Sequence, residues 1–177
     1  MRFYSGKGDG GTTTLFGSGK RLPKTDKVFE ALGALDELNS YLGICVSLAH
    51  DKNIKNTLKE VQENLFILQA ELGDAKVKPI GRKKLEILEK TTDNFGDAVG
   101  VITKFTLSGG SPLSAHLDYA RTLARRAERK VLEARFPTFG NPEWNLAYLN
   151  RLSSLLFVLA RYVNKKSRIK EKNPKYK

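Results

Sequence analysis

From about Asp26 onward, apolar residues recur at steps of three and four along the chain. Val28, Leu32, Leu35, Leu38 and Leu42 begin the pattern. Ile54, Leu58, Val61, Leu65, Leu68 and Leu72 continue it, followed by Leu85, Leu88, Thr92, Phe95 and Val99. Leu113, Leu117, Ala120, Ala124, Ala127 and Val131 form a fourth set, and Leu149, Leu152, Leu156, Leu159 and Val163 a fifth. At 3.6 residues per turn each set makes one apolar stripe on a helix. The breaks agree with this reading. Pro79 and Gly81 separate the second and third helices. "LSGGSP", Leu107 to Pro112, precedes the fourth, with Ser111 as N-cap and Pro112 at the first helical position. "FPTFGNP", Phe136 to Pro142, precedes the fifth, and Asn141 with Pro142 repeats the cap signature. Five helices joined by short connections predict an all-α, antiparallel five-helix bundle. One domain is expected over residues 1–164, with a basic, flexible tail over 165–177.

The first 25 residues do not share the helical period. "YSGKGDGGTTTLFGSGKR", Tyr4 to Arg21, holds six of the fifteen glycines and three consecutive threonines. Glycine lets backbone N–H groups approach an anion, and threonine hydroxyls add donors. The segment "GSGKR" is not a nucleotide P-loop, which requires G-x-x-x-x-G-K-[ST]. Thr14 stands where the first glycine should be, Arg21 where Ser or Thr should be, and no apolar strand precedes. A different phosphate-holding loop remains open, as does a flexible glycine-rich terminus.

Composition narrows the function classes. A chain of 177 residues with 40% hydrophobic content suits one domain with a real core and excludes wholesale disorder. Charged or polar residues interrupt every apolar stretch, so no membrane span is expected. The N-terminus lacks a signal peptide's apolar region, and the lone Cys45 cannot form an internal disulfide. A cytoplasmic protein with Cys45 as a small buried hydrophobe is the expectation. The net charge of +12 raises the question of nucleic acid. Half of it lies in "KKSRIKEKNPKYK", Lys165 to Lys177, a segment without apolar period. A basic helical module binding nucleic acid is therefore the weaker alternative.

The metal reading of a bundle fails on residue types. A di-iron bundle needs Glu-x-x-His pairs, and neither His50 nor His116 has Glu three residues before it. The fourth helix carries a different chemistry. "YARTLARRAERK" places Arg121, Arg125 and Glu128 on one stripe beside the apolar one, with Arg126 and Arg129 adjacent. This could be a solvated face with Arg–Glu pairs. Two features favour more. Arginine is chosen where the chain elsewhere prefers lysine, and a planar fork suits bidentate phosphate binding. The fifth helix also carries a second, polar stripe of Asn150, Ser154, Phe157 and Arg161.

Four segments together resemble a known family. "YSGKGDGGTTTLF", "RLPKTDKVFEALGALDELNSYLG", "FTLSGGSPLSAHLDYARTLARRAER" and "WNLAYLNRLSSLLFVLARYVN" are similar, in order, to the PduO-type ATP:cob(I)alamin adenosyltransferases. The resemblance spans about residues 3 to 164 and departs from the family's Leu-Pro-Gly-Gly at Leu107 to Gly110. It implies a bundle of ferritin-like topology that assembles as a homotrimer, with each active site at a subunit boundary. It implies transfer of the 5′-deoxyadenosyl group of ATP to the cobalt of cob(I)alamin, with Mg²⁺ on the phosphates and no metal held by the protein itself. Ser5, Gly6, Lys7, Gly8, Asp9, Thr13 and Thr14 would line ATP, and Lys24 would reach its phosphates. Arg125, Arg126, Glu128, Arg129 and Asn150 would come from the facing subunit. Asp36 would pair with Arg121 across the interface, and Phe105 would sit under the corrin ring. A cob(II)alamin reductase and an adenosylcobalamin-dependent enzyme are the further partners this reading admits. A non-catalytic ATP-binding regulator of the same fold is the other alternative.

Overall fold

The computed structural model of the chain describes residues 2–134 and 142–176. Five helices form the bundle: α1 (Lys27–Leu48), α2 (Lys52–Leu72), α3 (Arg82–Val99), α4 (Pro112–Ala134) and α5 (Pro142–Lys166). Local chemistry sets their ends. Asp26 caps α1 by accepting from Val28 N at 3.0 Å, and Asp51 caps α2 by accepting from Asn53 N at 2.8 Å. Ser111 Oγ accepts from Ser114 N at 3.2 Å, so the expected cap of α4 is formed. The expected cap at Asn141 lies outside the described residues.

The apolar stripes meet in one core. Leu35, Leu38, Leu58, Leu65, Leu117, Ala124, Leu152 and Leu156 are fully buried within it. Leu32, Thr92, Phe95 and Val99, at the margins of their stripes, are half-buried. Consecutive helices run antiparallel. Along α4 and α5, Glu128 meets Asn150 while Asp118 meets Arg161. α3 and α5, two helices apart, run the same way, with Glu89 beside Arg151 and Phe95 beside Tyr162. Cys45 is buried among apolar neighbours, and that desolvation pushes its thiol up to about 12. It is a core residue with no nucleophilic character at neutral pH.

Two polar links cross the core. Glu71 is buried on α2, accepting from Ile80 N at 3.0 Å and from Asn145 Nδ2 at 2.7 Å. Burial raises its carboxyl pKa against the opposing pull of these two bonds. Asn64 Nδ2 donates to the buried Tyr148 hydroxyl at 3.0 Å, and desolvation raises that phenol's pKa.

The glycine-threonine segment is a hairpin. β1 (Thr12–Thr14) pairs antiparallel with β2 (Arg21–Pro23), Thr13 opposite Leu22. Three β-branched residues in a row suit an extended strand. Leu15 anchors the hairpin by complete burial in the helical core. Gly17 N donates to Gly73 O at 2.8 Å, and a Cβ on Gly17 would stand 2.0 Å from the Asp74 carbonyl. Glycine is thus required where the hairpin turn presses on the end of α2.

The residues after α5, expected as a solvated tail, keep Lys170, Lys172 and Lys175 exposed but make ordered contacts. Ile169 N donates to Asn164 O at 2.9 Å, and Leu107 N donates to Lys172 O at 2.8 Å.

Candidate active site

The arginine stripe lines a cleft of about 590 Å³ between α4, α5 and the loop after α3. Arg121 and Arg125, one helical turn apart, form its charged wall, and Phe105 and Phe157 contribute an apolar one. Ser153 and Ser154 also line the cleft. Arg125 and Arg129 are exposed and, among the described residues, make no ion pair or hydrogen bond. Arg121 is half-buried and equally without an ion pair there. Unpaired guanidinium groups beside an apolar wall are suited to a polyanion carried on a larger apolar or aromatic body.

Two further α4 residues have protein partners. Glu128 accepts from Asn150 Nδ2 at 3.0 Å, so these two expected ligand contacts stand together, Glu128 three residues beyond Arg125 on α4. Arg126 points away from that pair and makes an ion pair with Glu37 on α1. Asp36, next to Glu37, is exposed and has no partner among the described residues. The expected pairing of Asp36 with Arg121 is not made within one chain.

The hairpin gathers the second group of expected residues. Gly6 adopts φ +69°, and Asp9 N donates to Gly6 O at 3.1 Å, which curls residues 5–9 into a tight turn. Lys24 N donates to Gly11 O at 2.9 Å, and a Cβ on Gly8 would stand 3.2 Å from Lys24 Nζ. The lysine therefore lies over the turn, and Gly8 leaves it room. Thr13 and Thr14 follow on β1, the first half-buried and the second exposed. Arg21 holds the loop from beneath. Its Nε donates to Thr12 Oγ1 at 2.8 Å, and its NH2 nitrogen donates to both Lys7 O and Thr12 O. In sequence, Arg21 serves only to exclude a P-loop. Strand pairing of Thr14 with Arg21 is what turns that side chain under the loop.

Arg161, on the polar stripe of α5, is buried with Asp118 at the inner end of the cleft, a pairing not evident in sequence. Arg161 NH2 donates to Asp118 Oδ2 at 2.7 Å, and Arg161 NH1 donates to Thr106 Oγ1 at 2.8 Å. Asp118 Oδ2 also accepts from Gly109 N at 3.0 Å. Gly109 and Gly110 have φ of +125° and +107°, and a Cβ on Gly110 would stand 2.3 Å from Asn164 Oδ1. These glycines fold the loop tightly onto α5. The signal available in sequence was Asp118 and Arg161 as opposite charges on the polar flanks of two neighbouring amphipathic helices.

Among the described residues, no three His, Cys, Asp or Glu side chains gather as a metal-binding group. Nor does a hydrogen bond or ion pair among them join the hairpin loop to the arginine cleft. The two halves of the expected ligand site are built separately.

Comparison with known proteins adds an independent line. Residues 3–163 match the family model described as cobalamin adenosyltransferase. The chain is 39% identical over 168 residues to the corrinoid adenosyltransferase PduO of Salmonella typhimurium, covering 91% of this chain and 49% of that protein. It thus spans about half the length of the PduO proteins it matches. A shorter corrinoid adenosyltransferase of Citrobacter freundii is 39% identical over 166 residues, with 90% of this chain and 93% of that protein covered. In structure, the chain is similar to a PduO-type ATP:corrinoid adenosyltransferase variant from Lactobacillus reuteri complexed with cobalamin and ATP. The TM-score is 0.90 at 30% identity, covering 98% of this chain and 99% of that one. A second variant of that enzyme, complexed with ATP, gives a TM-score of 0.87 at 32% identity, covering 98% of this chain and 100% of that one. Agreement of the family model, full-length relatives and fold establishes that this chain belongs to the cobalamin adenosyltransferase family.

Proposed function

We propose that the protein transfers the 5′-deoxyadenosyl group of ATP to the cobalt of cob(I)alamin, forming adenosylcobalamin and releasing triphosphate. The cobalt(I) electron pair forms the bond to ribose C5′. The C5′–O bond breaks, and its electrons leave with the triphosphate. Such a step asks the protein for no nucleophile or general base. It asks for orientation and for positive charge where the leaving group gains negative charge. The observation that carries this reading is the cleft in which unpaired Arg121 and Arg125 face Phe105 and Phe157. Arginines would take the triphosphate, and Phe105 would stand against the corrin and keep the lower axial ligand off cobalt, easing reduction from cobalt(II).

Ser5, Gly6, Lys7, Gly8, Asp9, Thr13, Thr14 and Lys24 would hold the nucleotide from the hairpin side. Mg²⁺ would neutralise phosphate charge; the single loop carboxylate, Asp9, suits an ion held mainly by the phosphates. The separation of the hairpin loop from the arginine cleft within one chain supports a site completed between subunits. In a homotrimer the loop of one subunit would face Arg125, Arg126, Glu128, Arg129 and Asn150 of the next, and Asp36 would meet the neighbouring Arg121. Arg126 would then exchange or share its Glu37 partner. Incubation with ATP, Mg²⁺ and chemically reduced cobalamin, followed by corrinoid absorbance, tests the reading. Appearance of the adenosylated spectrum and of triphosphate is expected. ATP binding without either product would leave a non-catalytic regulator.

A further inference from the structure

The segment after α5 is tied to the cleft by a residue that none of the substrate roles uses. Arg161 has a side chain only 2% exposed, which is costly for a guanidinium without paired charge. Asp118 already supplies one matching carboxylate at 2.7 Å. A second comes from beyond the helix, where Glu171 Oε1 lies 2.6 Å from Arg161 Nε, an ion-pair contact without hydrogen-bond alignment. Glu171 also accepts from Asn164 Nδ2 at 2.8 Å. Asn164 in turn donates to Gly109 O at 2.8 Å and accepts from Ser111 N at 3.1 Å. Neutralising Arg161 does not require Glu171. What Glu171 adds is attachment of the chain that follows it.

That chain runs straight to Phe105. Leu107 N donates to Lys172 O at 2.8 Å, and Asn173 Nδ2 donates to Phe105 O at 2.7 Å. Among the described residues, the backbone of 101–108 finds hydrogen-bond partners only in this segment. The Phe105 side chain, 79% exposed, is held in the cleft by almost nothing of its own.

We infer that Glu171 is a positioning residue: by fastening the segment to Arg161 it fixes the backbone at Phe105 and just after it, and so sets where that ring stands. The part played by Phe105 rests on the adenosyltransfer reading; the clamp itself does not. Its consequence is selective. Losing the Glu171 charge frees the loop beside the corrinoid and leaves the hairpin and the arginine wall, which would take ATP, untouched.

The test uses the full-length protein carrying Glu171→Gln, Asn173→Ala or Lys170→Ala, the last an exposed lysine of the same segment with no bond among the described residues. Amide hydrogen exchange at Leu107, without substrates, is expected to quicken by about tenfold in the first two and not in the third, since one modest hydrogen bond and its anchor are lost. The KM for cob(I)alamin should rise severalfold in the same two variants, with the KM for ATP and the helical circular dichroism unchanged. Wild-type exchange at Leu107 in Glu171→Gln overturns the clamp, whatever Asn173→Ala does. Faster exchange with an unchanged corrinoid KM overturns the positioning role. Exchange needs no corrinoid, so if the wild-type protein transfers nothing, the proposed activity falls and exchange alone still decides the clamp.

Discussion

Arg125 separates two explanations of the charged wall. It lies off the apolar stripe of Ala120, Ala124 and Ala127, all fully buried, and is itself exposed. Arg125→Lys keeps the charge and removes the fork. A charge-assisted hydrogen bond lost from a partly desolvated site costs about 1.5–3 kcal/mol. The rate of adenosyl transfer should therefore fall by about one to two orders of magnitude, with circular dichroism unchanged. A wild-type rate would make Arg125 part of a solvated face. Gly17 tests backbone approach instead. Its Cβ position is 2.0 Å from the Asp74 carbonyl, so Gly17→Ala must push the hairpin off α2. A loss of about 1–3 kcal/mol in denaturant unfolding and weaker ATP binding are expected together.

At the scale of elements, two carboxylates give opposite pH dependences. Asp51 caps α2 and bonds Lys166 at the end of α5, and the Lys166 bond leads the causes that lower its carboxyl pKa. A lowered folded value means that its stabilisation is present above the unfolded value, about 3.9, and is lost as pH falls through the folded one. Asp51→Ala should cost about 1 kcal/mol at neutral pH, and urea unfolding should show the difference shrinking below about pH 4. Glu71 has the reverse sign, because burial raises its value. Its contribution is full below the unfolded value of about 4.3 and declines as pH rises through the folded one. Glu71→Gln keeps an acceptor for Ile80 N, and the unpartnered Asn145 Oδ1 can turn to meet the new amide. Its stability relative to wild type should thus increase with pH above about 4.3, measured by urea unfolding across that range. A pH-independent difference would mean that Glu71 titrates as it does in the unfolded chain.

For the whole molecule, the issue is what one chain leaves unfinished. Arg121, Arg125 and Asp36 lack ion-pair partners among the described residues, and the hairpin loop is not bonded to the cleft. Self-association would resolve all of these at once. Light scattering at micromolar concentration should give three times the 19.8 kDa chain mass. A stable monomer would deprive the shared site of support. Asp36→Ala should then weaken assembly or transfer while leaving monomer helicity intact, because its side chain is exposed in the single chain.

The helical elements were legible because amphipathic periodicity is a local code. Leu58, Leu65, Leu117, Ala124, Leu152 and Leu156 could be named as core from spacing alone. Ser111 and Pro112 likewise announced the start of α4, since a cap needs only its own first turn. The arginine stripe was legible for the same reason, as spacing along one helix. What the stripe faces was not. The meeting of Phe105 with Arg121 and Arg125 depends on a loop folded onto α5 through Gly109, Gly110 and Asn164, residues up to 55 positions apart. The hairpin escaped the sequence reading because two three-residue strands carry too short an alternation to stand out, and their pairing is fixed by Leu15 entering a core built elsewhere. Nothing local in sequence joins Asp118 to Arg161; only packing of α4 against α5 took both out of water and made their pairing necessary. Sequence by itself determined which faces are apolar and where charge concentrates. Tertiary structure decided which of those charges are buried together and which are left free to meet a ligand.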